Sequence, residues 1–260
     1  MIKIISPRIH NLGDFMHCLP ALSGLYKKLN HKMSFVICDR LERFNGIKEL
    51  LLNQEMFFEV KFMHEETRIP ERYMILDDIG QEKNHGNSPI ACHRFYNFIR
   101  DNYKIDFDID DDFELQVPKL DIDFRVDKLV VGDRWSPSDA PDVDTRRYSN
   151  LIEAAEIIPK EKALYLDYKK DLIYNCSLIK HNPNPFVTTF TGIGIVADLM
   201  KKDCYILWDE DIRNWQGWGV EQDYKLHYYQ DRKSKLVYIR DFKYDNQCSS
   251  WCIWWSSKKW

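Results

Sequence analysis

The chain alternates short β-rich runs with helix-length amphipathic stretches, and it does so twice over. No other feature restricts its fold as much. Residues 3–6 read as a strand, and Gly13 to Leu29 reads as a helix with Phe15, Cys18, Leu19, Leu22, Leu25 and Leu29 at helical spacing. Pro20 inside that helix predicts a kink or a later start. Further strands follow at 34–38, 57–63 and 73–77, with helices at 47–53 and 91–103. Strands that alternate with helices imply a parallel sheet covered on both faces. Residues 104–127 interrupt the rhythm with an acidic, proline-containing stretch that predicts a linker. The alternation then restarts, with strands at 128–132, 163–166, 186–190 and 204–208 and helices at 146–156, 171–180 and 191–202. Two α/β units follow, over 1–115 and 128–240, joined by a linker at 116–127 and followed by a tail at 241–260.

Composition narrows the class. Of 260 residues, 44% are hydrophobic and 30% charged, which is globular and too apolar for disorder. No run reaches the length of a membrane span, and the N-terminus lacks the small-residue cleavage site of a signal peptide, so a cytoplasmic location is expected. Seven cysteines scattered through apolar segments look like reduced core thiols rather than a disulfide framework. The net charge of −4 hides an asymmetry. Residues 101–144 carry 14 acids against 5 bases, whereas 225–260 carry 8 bases against 3 acids. Neither excess is enough by itself to indicate a nucleic-acid protein. The run from Asp106 to Asp112 reads as solvated linker, with opportunistic binding of a hard cation as the other reading. Seven of the eight tryptophans lie between 208 and 260, so the aromatic tail is expected either to pack back on the first unit or to form a platform for sugar rings or bases.

Two segments carry candidate chemistry. Gly13 and Asp14 stand at the junction of the first strand and its helix, hence at the C-terminal edge of a parallel sheet, where such sheets bind ligands. Asp14 there either projects over a cleft or caps the helix. His17, one turn later, would orient Asp14, line the cleft or serve the core. The second segment runs from Val187 through Thr188, Thr189, Phe190, Thr191 and Gly192 to Gly194. A strand entering Thr-Gly-x-Gly at a helix start directs free backbone N–H groups and hydroxyls at one spot, with the helix dipole adding positive potential. It is either a phosphate cradle or a packing joint, since it lacks the Gly-Lys-Ser/Thr of a P-loop.

The order of these segments resembles family 9 glycosyltransferases, the heptosyltransferases of lipopolysaccharide synthesis and their relatives. Gly13, Asp14, Pro20, Ala21 and Leu22 match that family's opening motif, and Thr191, Gly192 and Ala197 match its later Ser/Thr-Gly segment. Phe190 stands where the family has Asp, and Ile195 where it has His. Residues 130–135 resemble the strand opening the second domain, and 147–151 the helix after it. Arg134 and Arg146 are the available substitutes for a basic residue of the intervening loop. The resemblance implies a GT-B architecture: two Rossmann-like α/β domains facing across a cleft, the acceptor on the first, the nucleotide-sugar donor on the second, and no metal required. Asp14 would be the general base, Gly13 and His17 acceptor contacts, and Arg134, Arg146, Thr188, Thr189, Thr191, Gly192 and Gly194 donor contacts.

The expected activity is a nucleotide-sugar-dependent, metal-independent inverting transfer of a sugar to a hydroxyl of a bacterial glycan or lipid-linked saccharide. A nucleotide-diphosphate sugar would be the co-substrate. One alternative keeps the fold and makes hydroxymethylated DNA bases of a phage the acceptor, which the basic, Trp-rich tail would suit. Another is a non-catalytic nucleotide-sugar binding protein, suggested by Phe190 and Ile195.

Overall fold

A computed structural model of the protein describes residues 2–6, 12–66, 73–76, 91–132, 152, 156–189, 191–208, 234–238 and 242. They form two units. One holds Met1–Pro118 together with Tyr168–Asn175, and the other begins at Lys119 and takes up the chain again at Cys176.

The first unit is built on strands β1 (Ile2–Ile5), β2 (Met33–Ile37), β3 (Phe57–Phe62) and β4 (Tyr73–Ile75), in the order β3-β2-β1-β4. Every pairing is parallel. Burial follows sequence: β2, a continuous apolar run with one serine, is buried at all five positions, whereas β3, with one neighbour, buries Phe57, Val60 and Phe62 and leaves the residues between them partly or fully exposed. Phe15, Phe35 and Phe57 stack in a row, with centroids 5.8 and 4.9 Å apart, and tie the helical layer to the sheet.

The expected helix over 13–29 is two helices, α1 (Leu12–Met16) and α2 (Leu19–Leu29). The break follows from Pro20. Proline has no N–H to donate and a φ suited to a first turn, so α2 begins just before it rather than running through it. Lys27 and Lys28 in the last turn complement the dipole, and Asn30, at φ 54°, closes the helix with its N–H on the Tyr26 carbonyl. Helices α3 (Ile47–Leu52) and α4 (Ala91–Tyr103) complete the unit.

The acidic stretch differs from expectation. Rather than a solvated linker, it is a strap with Phe107, Asp110, Phe113 and Leu115 buried. The Asp110 carboxylate accepts the Ser23 hydroxyl at 2.6 Å and pairs with Lys27 at 2.8 Å. Its N–H donates to the Pro20 carbonyl at 3.2 Å. Gly24 allows this approach, because a side chain there would collide with the Asp108 carbonyl. Periodicity hid the strap because its apolar residues are spaced for neither helix nor strand.

The second unit has β5 (Leu129–Gly132), β6 (Ala163–Tyr165), β7 (Phe186–Thr189), β8 (Cys204–Trp208) and β9 (Ser234–Tyr238), all parallel, in the order β6-β5-β7-β8-β9. Helix α6 (Gly192–Leu199) accompanies them, as does α5 (Leu172–His181) from Cys176 onward. Leu129, Val131, Ile158, Val187, Leu207 and Val237 form its core. The side chains of Asn182 and Asn184 bind the incoming chain: Asn182 donates to the Phe124 carbonyl at 2.6 Å, and Asn184 to those of Val126 and Lys128 at 2.8 and 2.9 Å. The tail was expected on the first unit. Its one described residue, Phe242, instead lies in the core of the second, edge-on to Tyr205 at 6.1 Å. Trp251, Trp254 and Trp255 lie outside the described residues. No helix among the described residues is long and apolar enough to cross a membrane.

Candidate functional site

Each sheet reverses its strand order once, and each reversal leaves a crevice at the strands' carboxyl ends, where open α/β sheets take ligands. In the first unit the chain builds outward from β1 through β2 to β3 and then returns to β4 on the other side, so the switch lies between β1 and β4. Ser6 carries β1 to that edge: its N–H donates to the Val36 carbonyl at 2.8 Å, and its hydroxyl accepts the Cys38 N–H at 3.0 Å. The chain re-enters the described residues in α1, where Leu12, Gly13, Phe15 and Met16 are all buried. Phe15 stacks on Phe35, the central residue of β2, and so packs α1, the short helix that contains Asp14, against the first sheet. The Asp14 side chain lies outside what the structure describes. His17 is 4% exposed and Gly13 is buried, so both lie beneath the surface of the edge on which sequence placed them as acceptor contacts.

In the second unit the switch lies between β5 and β7. Gly132 ends β5 opposite Thr188, and glycine is required there, since an added Cβ would sit 2.7 Å from the Phe186 ring and 3.1 Å from the Thr188 hydroxyl. Thr188 is fully buried and donates its hydroxyl to the Gly132 carbonyl at 2.7 Å. That corrects its place among the donor contacts: its proton is committed to locking the two strands at the switch. Thr191 caps α6 with extended backbone, but its hydroxyl makes no capping bond and lies 3.4 Å from that of Thr188. The first N–H groups of a helix have no intrahelical partner. Here the chain gives them no side-chain cap, and the Gly194 N–H turns back to the Thr191 carbonyl at 3.0 Å. Residues 193–199 are buried and Gly192 alone in α6 is partly exposed, so this helix meets solvent at its N-terminus. Thr189 and Thr191 are 5% and 8% exposed, and Ile195 is buried. Arg134, Arg146 and Phe190 lie outside the described residues.

Comparison with known proteins then bears on the fold. No protein-family model and no curated protein matches the chain. Among solved structures, Escherichia coli heptosyltransferase WaaC with ADP superposes with a TM-score of 0.57 at 8% identity, over 91% of this chain and 93% of that one. A family 9 glycosyl transferase from Veillonella parvula gives 0.57 at 10% identity, over 91% and 86%. The chain has the fold of these glycosyltransferases. Its two parallel sheets agree with the GT-B arrangement that the motifs led us to expect.

Sequence reasoning missed Asp39 and His64, which the structure brings together at the carboxyl ends of β2 and β3. Each stands two residues past the end of a strand, and that position was the available signal. Among the described residues no group of three His, Cys, Asp or Glu is placed to hold a metal ion.

Proposed function

We propose that this chain is a glycosyltransferase that uses a nucleotide-diphosphate sugar and inverts the anomeric centre, with the acceptor at the carboxyl edge of the first sheet and the donor at that of the second. One observation supports the reading: each sheet reverses its strand order beside the strand that precedes a motif segment, β1 in the first unit and β7 in the second, and a fold shared with two glycosyltransferases would give both positions a use.

In this reading Asp14 takes the proton of the acceptor hydroxyl as its oxygen attacks the anomeric carbon and the bond to the diphosphate breaks. Gly13 and His17 support the Asp14 segment from beneath. The charge that develops on the leaving diphosphate goes to the N–H groups at Thr191 and Gly192 and to Arg134 and Arg146, with Thr189 beside them, while the Gly194 N–H is taken by the Thr191 carbonyl and shapes the helix start. Preorganised N–H donors suit this task because they need no reorientation as charge builds. WaaC carries ADP in its structure, which makes ADP the first probe here.

Calorimetry with ADP, UDP, GDP and CDP, followed by release of nucleotide from the matching sugar donors, tests the reading. Binding of one nucleotide together with slow donor hydrolysis is expected. Absence of binding by all four would overturn it. A silent nucleotide-sugar binder is the second reading, favoured by the buried, apolar Ile195 in α6. Nucleotide binding without any turnover, with or without acceptor, would select it.

A further inference from the structure

We infer that Asn45 is a self-modification site: its side-chain amide is lost by cyclisation onto the Gly46 nitrogen, and the acid that replaces it releases residues 168–175 from the start of α3.

The site follows from what packing demands of two adjacent residues. Asn45 and Gly46 lie between the 3-10 turn Asp39–Arg43 and α3, and they belong to the first unit, as do Tyr168–Asn175. Gly46 caps α3 at φ 84°, a left-handed backbone that favours glycine. The neighbouring segment also crowds it, since a Cβ there would come 3.2 Å from that of Asp171 and 3.4 Å from the nitrogens of Leu172 and Ile173. Asn45 meets the same segment with two groups. Its carbonyl accepts the Leu172 N–H at 2.6 Å, and its Nδ2 donates to the Asp171 carboxylate. Position 45 therefore needs an amide, to donate to a carboxylate, and position 46 needs glycine. Together the two demands produce Asn-Gly, a dipeptide that occurs once in the 260-residue chain.

That dipeptide carries its own chemistry. With no side chain at 46 in the way, the Gly46 backbone nitrogen can attack the Asn45 Cγ. The new C–N bond closes a succinimide ring, the bond from Cγ to Nδ2 breaks, and the Gly46 N–H proton leaves with Nδ2 as ammonia. Water then opens the ring at either carbonyl, giving aspartate or isoaspartate, in which the main chain runs through the side-chain carbon. Water is the one reagent consumed, and it has access, because Asn45 and Asp171 are both exposed.

The nitrogen that is lost is the one that holds Asp171. Its replacement is a carboxylate oxygen, so a donor–acceptor pair becomes two like charges in contact. Isoaspartate also takes out of the main chain the carbonyl that accepts the Leu172 N–H at the first turn of α5. Either product loosens the hold on the segment.

The experiment incubates the full chain at mildly alkaline pH and follows it by peptide mass spectrometry, with hydrogen exchange on the same samples. The peptide holding Asn45 should convert from amide to acid ahead of the other asparagine peptides, with isoaspartate detected by enzymatic methylation of its carboxylate. Exchange at 168–175 should quicken about three- to tenfold as conversion proceeds, as befits loss of one hydrogen bond at an exposed position. Asn45→Gln should not convert. Asn45→Asp should show the faster exchange from the outset. Combining Asn45→Asp with Asp171→Asn puts an amide donor opposite a carboxylate again, from the other side, and should restore slow exchange. Failure of Asn45 to convert in the folded chain would overturn the proposal. So would conversion that leaves exchange at 168–175 unchanged, or a swapped pair that exchanges as fast as Asn45→Asp alone.

Discussion

Gly24→Ala separates helix propensity from packing, because the two demand opposite signs. Gly24 lies inside α2, where replacing glycine by alanine normally stabilises by roughly 0.5–1 kcal/mol. Here the new methyl would run into the Asp108 carbonyl and come 3.2 Å from the Asp110 nitrogen. Both are backbone atoms, and the strap is held by the bond from the Asp110 N–H to Pro20 and by the buried Ser23 to Asp110 contact, so neither side yields by a rotamer change. Forcing atoms into such a site costs about 1–3 kcal/mol, and rigid backbone on both sides points to the upper part of that range. Subtracting the propensity gain leaves a net loss of about 1–2 kcal/mol. If the strap lifts instead, Phe107, Phe113 and Leu115 lose their burial, which at about 1.5–3 kcal/mol each is the costlier outcome. Urea unfolding should therefore show a less stable variant, and hydrogen exchange should quicken at residues 104–118 before the central strands. A Gly24→Ala variant more stable than wild type would refute the packing argument.

Four further outcomes are expected. Asp14→Asn should cut transfer by about 10²- to 10⁴-fold with nucleotide affinity unchanged, and retention of a third of the rate would remove Asp14 as the base. Gly192→Val should weaken nucleoside diphosphate binding by about tenfold to a hundredfold through loss of one or two charge-assisted N–H bonds, read by calorimetry. Phe242→Ala should cost about 3–5 kcal/mol and accelerate exchange in β8 and β9 rather than in the first unit, which would be contradicted by loss of protection in β1 or β2. Burial pushes the Cys176 thiol up to about 12 and those of Cys18 and Cys204 up as well. The unfolded chain therefore sheds these protons above pH ~8.5 while the folded chain keeps them, and stability falls as pH rises from there, by up to about 1.4 kcal/mol per pH unit for each thiol. Cys176→Ala should flatten that slope in melts between pH 7 and 11.

The parts of this fold that periodicity governs were legible. β2, β5 and β7 are unbroken apolar or hydroxyl-bearing runs, as strands buried on both faces must be, and they lie within a residue of where the pattern places them. What periodicity does not govern was hidden. The strap over α2 depends on a glycine 84 residues before the carbonyl it accommodates, a pairing no local window contains. Asp110 looked like one more solvated acid because its partners, Ser23 and Lys27, are far away in sequence. Thr188 illustrates the limit within the site itself. Its place beside the helix start was read correctly, but whether its hydroxyl faced a ligand or the Gly132 carbonyl depended on the neighbouring strand. The same holds for Asp39 and His64, each unremarkable until the parallel order of β2 and β3 brings them side by side.

An identity of 8–10% with proteins of the same fold has a physical explanation in where the chain is intolerant. A parallel strand needs apolar bulk, and many residues supply it, so strands drift freely. A crevice at a strand-order reversal is less forgiving. Gly132 has no room for a Cβ, Thr188 needs a hydroxyl of its length to reach the opposite carbonyl, and α2 needs Pro20 near its start to break cleanly from α1. The segments in which the glycosyltransferase resemblance was visible, from Gly13 to Leu22 and from Thr191 to Ala197, lie at these junctions. Ile195 shows the converse. It occupies a buried position in a helix that is apolar from Ile193 to Ala197, three residues past the helix start at Gly192, so isoleucine there serves packing and leaves the helix start undisturbed.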